Sequence, residues 1–68
     1  MDSKEIAEAM RRKLPVNFDG ITYRRILEYI LWYDDAGQRK TSVTLLDKTN
    51  RSTTRAPADR IEPAEKEG

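Results

Sequence analysis

Apolar positions change their spacing along this chain. Ile6, Met10 and Leu14 recur every fourth residue, with Ala7 and Ala9 beside them. That is the spacing of one face of a helix, and the stripe is too narrow for the helix to be stable alone. From Val16 to Tyr23 the apolar residues alternate: Val16 and Phe18 precede Asp19-Gly20, and Ile21 and Tyr23 follow it. Large apolar side chains then crowd into Ile21–Tyr33, and a second alternating run follows at Val43 and Leu45. One helix followed by several strands is the organisation these periods predict.

The ends of the helix are written in polar residues. Asp2 is placed to cap, with Glu5 three positions on to complete a capping box; Ser3 is the alternative cap. Glu5 and Glu8 lie early and Arg11, Arg12 and Lys13 late, as the helix dipole prefers. Pro15 restricts Leu14, so a helix over residues 2–13 is predicted.

Asp19-Gly20 is a tight-turn signal and predicts a small hairpin between strands 16–18 and 21 onward. The run Ile21–Tyr33 has a helical alternative, with Tyr23, Ile26, Leu27 and Ile30 on one face. Eight of its thirteen residues are β-branched or aromatic, which favours a strand. A helix would also strand Tyr29 and Trp32 on the wrong side and place Asp34 and Asp35 at the repelling end of the dipole.

Asp35-Ala36-Gly37 fits a three-residue hairpin loop with a left-handed glycine at its end. It sets Asp34 against Gln38, so paired numbers sum to 72 and strands 21–34 and 38–47 align. One face then reads Leu27, Tyr29, Leu31, Val43 and Leu45. The other carries Ile26, Glu28, Ile30 and Trp32 opposite Leu46, Thr44, Ser42 and Lys40. A turn at Lys48–Arg51 leads to a last strand near 52–56. Pro57 ends or edges that strand, and Ala58–Ile61 forms one tight turn that drops Ile61 onto the core. Residues 63–68 are charged, lack apolar anchors, and read as a frayed tail to a single domain over 1–62.

The predicted fold class is therefore α+β, mainly β: an N-terminal helix followed by an antiparallel meander of three or four strands. A long bent strand, tight hairpins and a short last strand behind one helical turn resemble an SH3-like small barrel over residues 16–62. The likeness is architectural and transfers no functional residues.

Composition narrows the chemistry. With 68 residues, no Cys and no His, disulfides, thiolate catalysis and the usual zinc sites are excluded. The stretch from 11 to 60 holds eleven Lys/Arg against six Asp/Glu, and the remainder two against six, leaving +1 overall. A basic middle between acidic ends is ordinary for a solvated surface, and the small excess argues weakly against a dedicated polyanion binder. No apolar run reaches the ~20 residues of a membrane span, and a cytoplasmic location is expected.

Asp34 and Asp35 read as turn residues rather than as a catalytic or metal pair, because successive strand residues face opposite ways. No nucleophile with a positioned base, phosphate-cradling loop or metal cluster is legible, so no enzyme, cofactor or metal is expected. The two-faced long strand is the informative feature. Ile26, Ile30, Trp32, Lys40 and Leu46 form the candidate interaction surface, for a protein partner or a second copy, unless the helix covers it. The alternative is weak nucleic-acid binding through Arg24, Arg25, Lys40 and nearby aromatics.

Overall fold

Asp2 sets where the first element starts. In the computed structural model, which describes residues 1–64, helix α1 spans Ser3–Arg12. The Glu5 N–H donates to Asp2 Oδ1 at 2.8 Å, and the Asp2 N–H donates to Glu5 Oε1 at 3.0 Å. This is the reciprocal capping box. At the other end Lys13 turns left-handed (φ 56°). Its N–H donates to Met10 O and that of Leu14 to Ala9 O, closing a Schellman motif with lysine where glycine is usual.

That reversal changes the apolar stripe. Ile6 and Ala9 are buried and Met10 packs against the core, whereas Leu14, expected on the same stripe, is 38% exposed. Once Lys13 leaves the helical region, the four-residue spacing no longer governs where Leu14 points.

Strands β1 (Val16–Phe18) and β2 (Ile21–Tyr23) pair through a two-residue turn, with Phe18 opposite Ile21. Asp19 and Gly20 both hold positive φ, 56° and 79°, as a type I′ turn demands. The chain continues past Arg24, whose N–H donates to Leu46 O at 2.8 Å, into β3 (Arg25–Tyr33). The expected single strand is thus one bent path shared by two sheets. Strands β4 (Arg39–Leu46) and β5 (Thr53–Pro57) complete the meander. A 3-10 turn at Ala58–Arg60 follows and delivers Ile61 to the core at 1% exposure.

Two three-stranded antiparallel sheets result, ordered β2-β1-β6 and β3-β4-β5. The sixth strand, β6 (Glu62–Pro63), lay beyond the expected last strand, and Pro63 belonged to the segment read as frayed. It pairs with β1 instead, placing Pro63 opposite Val16. A strand of two residues, one of them a proline, is too short to show an alternating period. The rest of that tail, 65–68, lies outside the described residues.

From Glu28 to Tyr33 the β3–β4 pairs follow the expected register: Tyr29 meets Val43, Leu31 meets Thr41 and Trp32 meets Lys40. The loop is the expected one, with Gly37 at φ 80° and the Asp34 N–H donating to Gln38 O. Between Ile26 and Glu28 the register slips by one, leaving Leu27 as a bulge. Ile26 now faces Leu45 rather than lying with Trp32, and is 1% exposed.

The core joins Ile6 and Ala9 of α1 to Val16, Tyr23, Ile26, Val43, Leu45, Ala56, Ala58 and Ile61, with Tyr29 and Phe18 packed against it. Helix α1 therefore covers the inner face of the β3-β4-β5 sheet. Leu31, on the same strand face as Tyr29 and Val43, is nevertheless 45% exposed. The reason is length: β5 ends opposite Ser42, so Leu31–Tyr33 and Arg39–Thr41 continue as a two-stranded arm. The molecule measures 42 × 25 × 21 Å and has a radius of gyration of 12.0 Å. A compact chain of this length has ~11 Å.

Candidate surface on the outer sheet face

The outer face of β3-β4-β5 is set by alternation. Beyond the bulge, Glu28, Ile30 and Trp32 point away from the helix, opposite Thr44, Ser42 and Lys40. Trp32 is 40% exposed and Tyr33, one residue further, 63%. The indole is held in place: Trp32 Nε1 donates to Ser42 Oγ at 3.2 Å, and Ser42 is the only buried polar residue among those described. A ring tied at one end with its face open to solvent loses little entropy on meeting a partner.

Electrostatics frame the same patch. Lys40 Nζ lies 3.9 Å from Asp34 Oδ2, drawn toward the turn. Asp34, rather than Asp35, organises that turn, because its Oδ1 accepts from the N–H groups of Ala36 and Gln38, each at 2.9 Å. Thr44 Oγ1 donates to Glu28 Oε2 at 3.2 Å. Both acids nearest Trp32 are thus occupied with local structure.

Of the five residues expected to form this surface, Ile30, Trp32 and Lys40 come together. Leu46 shares the face but lies near the opposite end of β4, opposite Arg25 and half-buried. Ile26 does not belong to it, because the bulge at Leu27 reverses its side and sends it into the core. Tyr33 and Leu31, exposed on the other face of the arm, escaped the sequence reading. A longer β3–β4 hairpin than β5 can cover was the available signal.

The basic residues divide into two groups. Arg25 and Lys40 are opposite Leu46 and Trp32, seven positions apart along β3 or about 24 Å. Arg24 lines a cleft of about 550 Å³ with Lys13 and Lys48, and its Nη2 donates to Lys48 O at 3.2 Å. Lys40 lines another, of about 400 Å³, with Arg39, Arg60 and Asp59. The expected trio of Arg24, Arg25 and Lys40 is not a single site.

The most perturbed acid serves structure. Asp47 sits where β4 turns toward β5 and is pulled down to about 2, chiefly by the hydroxyl of Thr49 and then that of Ser52. Those donors lie at 2.7 and 2.8 Å, and the Thr49 N–H adds a third bond at 2.8 Å. A depressed carboxyl stabilises the fold fully above its unfolded value of about 4, and that contribution is lost as pH falls through about 2. The melting-temperature gap between the parent and Asp47→Ala should be widest at pH 5 and close toward pH 2. A gap independent of pH over that range would refute this role. On α1, Glu8 is lowered by the Arg11 guanidinium, which donates at 2.6 Å in full solvent and adds little stability.

Among the described residues no group of three Asp or Glu is placed to hold a metal ion, and no helix is long and apolar enough to cross a membrane. No family model, curated protein or solved structure matches this chain.

Proposed function

We propose that this chain is a small SH3-like interaction module that works in the cytoplasm by binding rather than by catalysis. Its working surface is the outer face centred on Trp32. The observation that carries the reading is the combination at Trp32: an indole fixed by Ser42 on the face that α1 leaves open. Tryptophan in such a position is the side chain most enriched among binding hot spots. Ile30 widens the apolar contact, and Lys40 supplies the charged rim. The strand order supports the architectural half of the proposal: a bent β2–β3 path feeds both sheets, and a 3-10 turn precedes the short strand β6. The acids support the non-catalytic half, since Asp34 and Asp47 are engaged in the turns they build. The decisive comparison is partner capture by the parent and by Trp32→Ala at equal folded concentration. Equal capture would end the proposal.

A second reading, nucleic-acid binding, draws on the two basic clefts, Lys13/Arg24/Lys48 and Arg39/Lys40/Arg60. Phosphates lying across both clefts would give weak, salt-dependent affinity. Titration with labelled single and double strands at low salt tests it. Neutralising Arg24, Arg25 and Lys40 together should abolish the signal, and no signal at tens of micromolar protein would retire the reading.

A further inference from the structure

The free edge of β3 carries a second, independent interaction feature. β3 is the outer strand of its sheet, paired only with β4. The Asp34 N–H donates to Gln38 O, which makes Asp34–Gln38 a hydrogen-bonded pair. Antiparallel ladders alternate, so the pairs of Trp32 with Lys40, Ile30 with Ser42 and Glu28 with Thr44 are hydrogen-bonded too. The N–H and C=O groups of Tyr29, Leu31 and Tyr33 therefore point away from β4. Among the described residues none of these three has another backbone partner.

Edge strands are normally protected by lysine, proline or an inward charge. From Tyr29 to Tyr33 the sequence is YILWY, with none of these. The bulge at Leu27 lies outside this segment, and α1 packs on the inner face without burying Leu31 or Tyr33, which are 45% and 63% exposed. An unguarded edge with apolar side chains on both faces is a template for strand addition.

We infer that this edge pairs antiparallel with the same edge of a second copy, joining two β3-β4-β5 sheets into one continuous sheet of six strands. The register follows from the free groups. Setting Leu31 opposite the partner's Leu31 puts Tyr29 opposite the partner's Tyr33, and all three residues of both copies become hydrogen-bonded pairs. Ile30 then meets the partner's Trp32, a β-branched and aromatic pair of the kind that stabilises sheets. Of the neighbouring self-paired registers, the one centred on Ile30 leaves the edge groups of Tyr33 facing those of Leu27 at the bulge, and the one centred on Trp32 leaves those of Tyr29 facing the turn at Asp35. In the favoured register Glu28 lies opposite the partner's Asp34. The Lys40 ammonium, 3.9 Å from Asp34, offsets these like charges, so the dimer should depend far less on salt than nucleic-acid binding would. A contact this short is smaller than a standard interface, and micromolar dissociation is its scale.

Sedimentation velocity between about 10 and 500 μM should show the mass rising toward twice the 7.9 kDa of the monomer. Leu31→Pro removes an N–H that β4 does not use, so the hairpin ladder survives while the edge is blocked. Leu31→Lys guards the edge without constraining the backbone. Each should raise the dissociation constant about tenfold or more with unchanged circular dichroism, and the lysine variant stands alone if the proline variant does not fold. In a mixed-label sample, an intermolecular contact between the Ile30 and Trp32 Hα protons fixes the register. A parent that stays monomeric at every concentration, or a dimer indifferent to Leu31→Lys, overturns the inference. Partner capture lost in Trp32→Ala but kept in Leu31→Lys upholds the outer-face reading whatever becomes of the dimer.

Discussion

Ile26→Ala is expected to cost about 2–5 kcal/mol, the range for deleting a buried branched side chain and leaving its cavity. Ile26 is 1% exposed and sits among Ile6, Val43 and Leu45, where α1 meets the sheet. Small domains have a total of about 5–15 kcal/mol, and one this short lies toward the lower end. A loss of that size lowers the melting temperature by roughly 10 °C or more and leaves the chain partly unfolded near body temperature. Ile30→Ala, four residues on and half-buried on the outer face, should cost less than about 1.5 kcal/mol. The order of these two losses tests the bulge. An uninterrupted register puts Ile26 and Ile30 on one face, and thermal melts showing equal or reversed costs would contradict the slip at Leu27.

Trp32→Ala should separate folding from binding. The ring is 40% exposed and outside the core cluster, so its removal leaves secondary structure and most of the stability in place. The cost to the fold is the bond to Ser42, whose hydroxyl becomes open to water, and it should stay within about 1.5 kcal/mol. Binding through the outer face should weaken by about 2 kcal/mol or more, roughly thirtyfold in the dissociation constant. Circular dichroism and a binding isotherm on the one variant report both halves. A mutant that melts as Ile26→Ala does would show that the indole belongs to the core, and one with unchanged affinity would remove it from the interface.

Much of this architecture is legible in short stretches because local chemistry decides it. Asp2 with Glu5, Asp19-Gly20 and Asp35-Ala36-Gly37 each specify their own backbone, and each is found in the conformation its residues favour. The loop at Gly37 then propagates a register down the hairpin, which is why the shared face of Ile30, Trp32 and Lys40 is legible from the loop alone. Propagation stops at Leu27. Nothing in that leucine announces a bulge; the slip arises where one strand must leave the sheet of β1 and enter the sheet of β4, a demand of tertiary structure. Ile26 was lost from the candidate surface for that reason alone. The exposure of Leu31 has a similar cause, since it depends on where β5 ends, far away in sequence. The basic residues were legible as a local excess, but their division into two clefts depends on how the chain is folded back.

The place of β1 has a consequence for how the molecule comes apart. Val16 pairs with Tyr23 on one side and with Pro63 on the other, so this three-residue strand ties the first third of the chain to the last. Ile61 enters the same cluster as Ile6, and the Met1 nitrogen donates to Ile61 O at 2.9 Å. Among the described residues there is one core cluster, and it draws on both ends of the chain. The β3–β4 hairpin, released from α1 and from β1, would expose Ile26, Val43 and Leu45 together. Unfolding is therefore expected as a single cooperative event, with coincident loss of secondary structure and of the buried Tyr23 environment.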